Sequence, residues 1–171
     1  FDRTVGGTFQ TASGITLSGA TLTLNGTCQI NAGGFFNNSP IYGNNSLLRY
    51  NTGSTYGRGL EWTVGSGTIG TTPGYPNDVQ ASNNTVINVP NTGNGGLDPF
   101  STAMGMARDL TIDAGSALYM DFGGNNNKSG SLTIGRNLII NGSLSLGNAI
   151  GGDMNIAGNW TNTGTFTPNS R

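Results

Sequence analysis

The stretches Asn137-Leu-Ile-Ile-Asn-Gly-Ser-Leu-Ser-Leu146 and Asn159-Trp-Thr-Asn-Thr-Gly-Thr-Phe-Thr-Pro168 are two copies of one unit, 22 residues apart. The correspondence runs without a gap from Ser131–Leu146 to Asp153–Pro168. A period of this length, with short apolar runs cut by Gly and Asn, is typical of chains that stack one repeat on the next. The repeat therefore predicts stacked units. Stacking alone explains the sequence pattern, without any active site.

Looser copies of the same unit lie upstream. Asp109–Met120 has two extra residues at its corner, and Asp78–Val89 matches it at equal length, 31 residues earlier. Ile15–Leu24 has a similar pattern. The spacing between copies grows because loops are inserted, and we assign Asn91–Pro99 and Phe122–Gly130 as two of them. Insertions at corners leave a stacked core intact.

Apolar positions inside each unit alternate with Ser, Thr and Asn. A period of two predicts short strands with one buried face, and its best examples are Leu132, Ile134, Leu138, Ile140, Leu144 and Leu146. The 30 glycines argue against a helical bundle. Asn162 is an exception because it aligns with Ile140 at an inward position. The alignment predicts either a bulge there or a hydrogen-bonded end to that internal row.

Two architectures fit such strands. We predict an all-β parallel β-solenoid (β-helix) with irregular loop insertions, because a gapless repeat lets equivalent residues stack about 4.8 Å apart in successive coils. Leu138 should then stack on Trp160, and Leu144 on Phe166. The alternative is an antiparallel β-sandwich.

Composition and boundaries favour an exported protein. Charged residues make up 9% of the chain and its net charge is −1, far from the basic footprint of a nucleic-acid-binding protein. No apolar run approaches the length of a transmembrane helix. We expect residues 1–171 to form one solenoid segment. The start at Phe1 and the end just after a repeat predict a fragment of a longer protein, with its export signals elsewhere.

Residues 33–75 interrupt the repeat and are expected to form an aromatic-rich insertion. We predict strands at Ser46–Tyr50 and Leu60–Val64, joined through a Gly-rich turn at Asn51–Gly59. Aromatic rings beside Arg and Glu can hold a sugar by stacking and hydrogen bonding, which makes one group the candidate ligand-binding site: Tyr50, Tyr56, Arg58, Glu61 and Trp62. The competing interpretation is that Trp62 covers the core while Arg58 pairs with Glu61 at the surface.

Groups for catalysis are scarce. The chain has no His, so a Ser-His-Asp triad is excluded. Cys28, the one cysteine, has no histidine to activate it and is predicted to be a buried strand residue. We predict no catalytic residue, no metal ligand and no cofactor.

One corner gathers carboxylates if the coils stack. Asp78 would then lie near Asp109, with Asp113 four residues further on, in a cluster that could bind an ion or form a hydrolytic pair. The competing interpretation is a solvated ladder of Asp and Asn side chains, because Asn137 and Asn159 occupy the equivalent later positions.

Several phrases carry a family resemblance: Ile30-Asn-Ala-Gly-Gly34, Leu48-Arg-Tyr-Asn-Thr-Gly53, Tyr56-Gly-Arg-Gly-Leu-Glu-Trp62, Gly74-Tyr-Pro-Asn-Asp-Val79 and Ala157-Gly-Asn-Trp-Thr-Asn-Thr-Gly-Thr-Phe166. They resemble the repetitive regions of large Bacteroidetes cell-surface adhesins, a group that includes gliding adhesins exported by the type IX secretion system. The resemblance implies a secreted, surface-attached protein with a role in cell adhesion or gliding motility. It supplies no catalytic residues.

These features predict a non-enzymatic segment of a bacterial cell-surface or extracellular protein, acting as a stiff stalk or presenting an adhesive surface. The expected partners are surface glycans or other surface proteins, together with the secretion machinery. Nucleic acid and membrane insertion are not expected. The alternative is a carbohydrate-binding or carbohydrate-cleaving β-helix module.

Overall fold

The computed structural model describes residues 2–90, 100–123 and 127–169, and within them the chain is all-β with no helix. Its strands are β1 Arg3–Val5, β2 Phe9–Thr11, β3 Gly14–Ile15, β4 Leu22–Leu24, β5 Thr27–Asn31, β6 Phe35–Phe36, β7 Ile41–Tyr42, β8 Leu47–Asn51, β9 Thr55–Gly57, β10 Asp78–Ala81, β11 Val86–Asn88, β12 Met104–Met106, β13 Leu110–Ile112, β14 Ala117–Tyr119, β15 Leu132–Ile134, β16 Leu138–Ile140, β17 Ser143–Ser145, β18 Met154–Ile156, β19 Trp160–Asn162 and β20 Thr165–Thr167.

The strands form stacked, open sheets, and the chain visits them in the same order again and again. We number the successive groups as layers: β1–β3 (layer 1), β4–β6 (layer 2), β7–β9 (layer 3), β10–β11 (layer 4), β12–β14 (layer 5), β15–β17 (layer 6) and β18–β20 (layer 7). One seven-stranded sheet runs through every layer, in the order β2-β5-β8-β10-β13-β16-β19. Four shorter sheets hold the other strands: β1-β4-β7, β12-β15-β18, β3-β6 and β9-β11-β14-β17-β20.

All strand pairs among the described residues are parallel, and their register is the one that the repeat predicts. Leu138 pairs with Trp160, and Leu144 with Phe166. The looser copies also pair, since Val79 aligns with Leu110. The antiparallel sandwich is therefore wrong, because it requires neighbouring strands to run in opposite directions.

Side chains alternate between the interior and the outside. In β13, β15 and β16 the first and third residues are buried and the second is half-buried, as in Leu138–Ile140. The buried residues form one continuous core that extends from Leu22 in layer 2 to Leu144 in layer 6. Thr, Ser and Asn occupy many of the outward positions, so the faces between the corners are polar but carry few charges.

Corners between strands bring backbones very close. A Cβ added to Gly164 would lie 2.0 Å from the carbonyl oxygen of Gly142 in the layer below, so no larger residue fits that corner. At the end of β19 the strand is regular, and Asn162 does not create a bulge. Its side-chain Oδ1 accepts a hydrogen bond from the N–H of Gly164 at 3.0 Å. The internal row therefore ends at Asn162 with a hydrogen bond, which is the second of the two outcomes that the alignment predicted.

The sequence predicts an interruption of the repeat at residues 33–75, but the interruption in the structure has other bounds. Its first part forms β6, β7, β8 and β9 in the same sheets as the repeat. The predicted strand at Leu60–Val64 is wrong, and the predicted turn at Asn51–Gly59 contains β9. The segment without strands is 58–77, which we call the excursion.

The excursion takes the place of the missing first strand of layer 4. On one side, the N–H of Gly74 donates to Pro40 O at 2.8 Å, next to layer 3. On the other side, the N–H of Gly105 in layer 5 donates to Val64 O at 2.9 Å. The excursion thus fills the gap between the sheet β1-β4-β7 and the sheet β12-β15-β18. The assigned loop Asn91–Pro99 lies outside the described residues, as do positions 124–126 of the loop Phe122–Gly130.

Candidate functional site

The five predicted ligand-binding residues lie together, but in the interior. Tyr50 is on β8 and Tyr56 on β9, and Arg58, Glu61 and Trp62 follow in the excursion. Tyr50, Arg58, Glu61 and Trp62 are buried, and Tyr56 is half-buried. Stacking on a sugar needs an exposed ring face, and the buried rings of Tyr50 and Trp62 present none in this structure.

Glu61 is the centre of this interior cluster. Its Oε1 accepts hydrogen bonds from the hydroxyl of Tyr50 at 3.0 Å and from the N–H of Gly59 at 2.7 Å. Its backbone oxygen accepts from the hydroxyl of Tyr42 at 2.8 Å. Burial raises the pKa of the Glu61 carboxyl, and the hydrogen bonds from Gly59 and Tyr50 only partly oppose that effect. The Glu61 carboxyl therefore holds its proton more tightly than a solvent-exposed glutamate does.

Arg58 and Trp62 fasten the excursion to neighbouring layers. The Arg58 guanidinium donates from Nε to Val89 O at 3.0 Å and from Nη1 to Trp62 O at 2.7 Å. The indole Nε1 of Trp62 donates to Gly105 O in layer 5 at 2.7 Å. Burial lowers the pKa of Arg58. The competing interpretation placed Arg58 and Glu61 at the surface, which is wrong, whereas its placement of Trp62 in the core is confirmed.

Cys28 adjoins this cluster from β5. It is fully buried, as predicted. Burial is the main cause that raises the pKa of its thiol to about 12. The thiolate is the reactive form of cysteine, so the buried thiol is inert in the folded protein.

The carboxylates of the predicted corner form a ladder that links one layer to the next. Asp78 Oδ1 accepts the backbone N–H of Asp109 at 2.9 Å, and Asp109 Oδ1 accepts that of Asn137 at 3.0 Å. Asn137 Oδ1 in turn accepts the N–H of Asn159 at 3.1 Å. The interpretation as a ladder of Asp and Asn is therefore confirmed, and these side-chain oxygens are used to hold successive layers in register.

Arginines neutralise part of this ladder. Arg136 donates to both carboxylate oxygens of Asp109 and holds the pKa of that carboxyl below its usual value. Arg108 Nε lies 3.7 Å from Asp78 Oδ1. Asp113 has a different partner, since its Oδ2 accepts a hydrogen bond from the side-chain amide of Gln80 at 2.8 Å. Among the described residues no group of three His, Cys, Asp or Glu side chains is arranged to hold a metal ion.

An open groove of about 470 Å³ lies where the corners of layers 1 to 3 meet the excursion. It is lined by Leu17, Gly19, Ala20, Thr21, Asn38, Ser39, Ile41 and Pro73. No charged or aromatic side chain lines it, so it offers neither a ring for stacking nor a carboxylate for acid–base chemistry. The groove therefore lacks the side chains on which the predicted glycan site depends.

Comparison of the chain with protein-family models, with curated proteins and with solved structures gave no match. Within the described part of the chain, no helix is long and apolar enough to cross a membrane.

Glu61 should make the protein lose stability as the pH rises. Because the folded-state pKa of this carboxyl is raised above the unfolded value of about 4.3, the folded protein binds more protons than the unfolded chain between those two values. The contribution is fully present below about pH 4.3 and is lost as the pH rises through the folded pKa. Glu61→Gln keeps the Oε1 acceptor but does not titrate. We expect its urea midpoint to fall less than that of the wild type between pH 5 and pH 8. If the urea midpoints of the two proteins change equally with pH, the assignment of a raised pKa to Glu61 is wrong.

Proposed function

We propose that this chain is a segment of a parallel β-solenoid in which each layer is one coil, and that it works as a stiff, non-enzymatic spacer. The single observation that supports this most is the seven-stranded sheet that passes through every layer without a break. Each coil satisfies the backbone groups of the next, and short-range stacking of this kind resists bending along the whole axis.

The surface chemistry supports the same proposal. The outward row along the long sheet is Gln10, Gln29, Arg49, Gln80, Thr111, Ile139 and Thr161. One pair of neighbouring members is joined by a hydrogen bond, from Arg49 Nε to Gln80 Oε1 at 2.9 Å. The row carries one charged side chain, Arg49, and no carboxylate, which fits a spacer better than a hydrolase.

We further propose that the segment belongs to a bacterial cell-surface or extracellular protein, where it spaces or presents an adhesive region. The low charge, the Ser/Thr/Asn-rich faces and the resemblance to the repeats of large Bacteroidetes adhesins support that placement. In such a protein the partners would be surface glycans or other surface proteins, and the type IX secretion machinery during export.

A distance measurement between the two ends tests the stiffness. Spin labels on Gln10→Cys and Thr161→Cys would lie six strand spacings apart in one row, about 29 Å between the two Cα atoms. We expect one narrow distance distribution in pulsed electron paramagnetic resonance. Cys28 is buried with a thiol pKa of about 12, so it should remain unlabelled. A broad distribution, or several distances, would overturn the spacer proposal.

An activity measurement tests the absence of catalysis. We expect no hydrolysis of polysaccharide, ester or peptide substrates by the purified chain. Cleavage that Asp109→Asn abolishes while the unfolding midpoint stays unchanged would make the chain a β-helix enzyme instead.

A further inference from the structure

Two asparagine–glycine pairs lie at corners of the stack. Asn25-Gly26 joins β4 to β5 in layer 2, and Asn141-Gly142 joins β16 to β17 in layer 6. A third pair, Asn94-Gly95, lies outside the described residues. Asparagine is a chemically labile residue, because the backbone nitrogen that follows it can attack its side-chain carbonyl carbon. Glycine has no side chain to obstruct that attack, so both corners are candidate sites of modification.

The two corners hold the attacking nitrogen differently. In layer 6 the N–H of Gly142 donates to Ile112 O at 3.1 Å, and Gly142 is buried. In layer 2, Gly26 is half-buried, and its N–H donates to no residue in the described part of the chain. The nitrogen must lose its proton before it attacks, and an N–H that is bound to a carbonyl and shielded from water loses it slowly. Gly26 is therefore the better nucleophile of the two.

The repeat shows that the N–H of Gly26 lacks a bond that later layers make. Gly26 is the second residue after the first strand of its layer, and Arg108 and Arg136 hold the same position in layers 5 and 6. The N–H of Arg108 donates to Asn77 O at 2.8 Å, and that of Arg136 donates to Arg108 O at 2.9 Å. A backbone N–H without a protein acceptor is left to bond with water.

The two carboxamides differ in the same direction. Asn141 Oδ1 accepts a hydrogen bond from Thr163 Oγ1 at 2.9 Å, which fixes that side chain to layer 7. Asn25 is exposed, and no described residue forms a hydrogen bond with its carboxamide. Its Oδ1 lies in space that Gly43 leaves open, since a Cβ on Gly43 would be 1.9 Å away. The Asn25 side chain therefore has no hydrogen bond to break before it turns toward the nitrogen of Gly26.

We propose that Asn25 is a site of spontaneous deamidation in the folded protein, with water as the only other reactant. The nitrogen of Gly26 gives its proton to water or hydroxide and attacks Asn25 Cγ, and this intramolecular attack is favoured by proximity. The new N–C bond closes a succinimide ring, and the side-chain nitrogen takes up a proton and leaves as ammonia.

Water then opens the succinimide at one of its two carbonyl carbons. Attack at the former side-chain carbon breaks the bond to the Gly26 nitrogen there and gives aspartate with the ordinary main chain. Attack at the main-chain carbon breaks the other C–N bond and gives isoaspartate, whose main chain runs through the former side chain. In both products an oxygen has replaced the NH of the amide, and nothing is oxidised or reduced.

Isoaspartate at position 25 would strain this corner, because it adds one atom to the main chain before Gly26. The N–H of Asn25 donates to Val5 O at 2.8 Å, and Gly26 O accepts from the N–H of Leu47 at 3.2 Å, so both residues of the corner are bound to neighbouring layers. A Cβ on Gly26 would lie 2.2 Å from Gly7 O, which leaves no room for a longer chain toward layer 1. The isoaspartate product should therefore be less stable than the original chain.

The experiment incubates the full chain in mildly alkaline buffer, folded and in urea, and follows each corner by peptide mass spectrometry. The sequences Asn25-Gly-Thr27 and Asn141-Gly-Ser143 are closely matched, so both should react at similar rates in urea. In the folded chain we expect Asn25 to react at least about tenfold faster than Asn141. Fragmentation that cleaves N–Cα bonds separates aspartate from isoaspartate.

Two variants isolate the consequence for stability. Asn25→Ala removes the amide at little structural cost, because Ala107 and Ala157 hold the equivalent corner position in layers 5 and 7. Asn25→Asp copies the charge of the ordinary product without lengthening the main chain. Both variants keep the other asparagines, so they control for modification elsewhere. After equal incubation, the isoaspartate fraction of the wild type should unfold at a lower urea concentration than either variant.

Three results would overturn the inference. The first is a folded chain in which Asn25 reacts no faster than Asn141. The second is a folded chain in which Asn25 stays intact while it reacts in urea. The third is an isoaspartate fraction whose urea midpoint equals that of Asn25→Ala, which would remove the predicted strain at the corner. The spacer proposal is independent of these results, because it concerns the distance within one chain.

Discussion

Leu138→Asp is expected to unfold the layers around β16. Leu138 is fully buried between Leu110 and Trp160, so the substitution removes a large apolar side chain and places a carboxylate where water cannot reach it. Losing the leucine costs about 2–5 kcal/mol, and an unpaired buried charge adds several more. The sum is comparable with the whole stability of an ordinary domain, about 5–15 kcal/mol. Urea unfolding followed by circular dichroism measures the loss.

The neighbouring residue is the control. Ile139 points outward from the same strand and is only half-buried, so Ile139→Asp should cost about 1 kcal/mol or less. Thr133→Ala and Ser145→Ala, also outward, should change the free energy of unfolding by under about 0.5 kcal/mol. Equal sensitivity at inward and outward positions would show that the alternation is assigned to the wrong faces.

Trp62→Ala is expected to have the second large effect. Trp62 is 0% exposed, and its indole donates to Gly105 O across the gap in layer 4. Removing the ring should cost about 3–5 kcal/mol, and removing the donor adds to this because a buried carbonyl loses a partner. The thermal midpoint should therefore fall steeply. Glycan binding that is lost with an unchanged midpoint would contradict the buried placement and support a lectin-like role.

The other tryptophan is a matched control for this variant. Trp160 is half exposed, and its main aromatic contact is the edge-on packing with Phe166. Such a contact is worth about 0.5–1.5 kcal/mol beyond the area that it buries, so Trp160→Ala should cost far less than Trp62→Ala. Similar losses for the two variants would mean that the excursion contributes no more to the core than the exposed end does.

The repeat was predictable because its cause is local. Apolar residues at every second position must share one face of a strand, and a constant spacing of 22 residues brings Leu138 onto Trp160 without any knowledge of the rest of the chain. The corner ladder followed from the same register, since Asp109, Asn137 and Asn159 occupy one position in successive units.

The interior cluster was not predictable in the same way. A Gly-rich stretch with Tyr, Arg and Glu suggests a surface, because burying Arg58 and Glu61 is costly unless each finds hydrogen-bond partners. Two of those partners lie far away in the chain: Val89 for Arg58 and Gly105 for Trp62. No pattern in the sequence marks the missing strand of layer 4 that makes room for them.

The sequence by itself determined the repeat strands, their inward and outward faces and the order in which repeats stack, because each of these depends on the period of two and on the correspondence between copies. Only the tertiary structure decided that residues 58–77 enter the stack and that their aromatic and charged side chains become core. The physical reason is that burial of a polar side chain depends on which carbonyls and hydroxyls surround it, and the folded backbone alone brings those groups together.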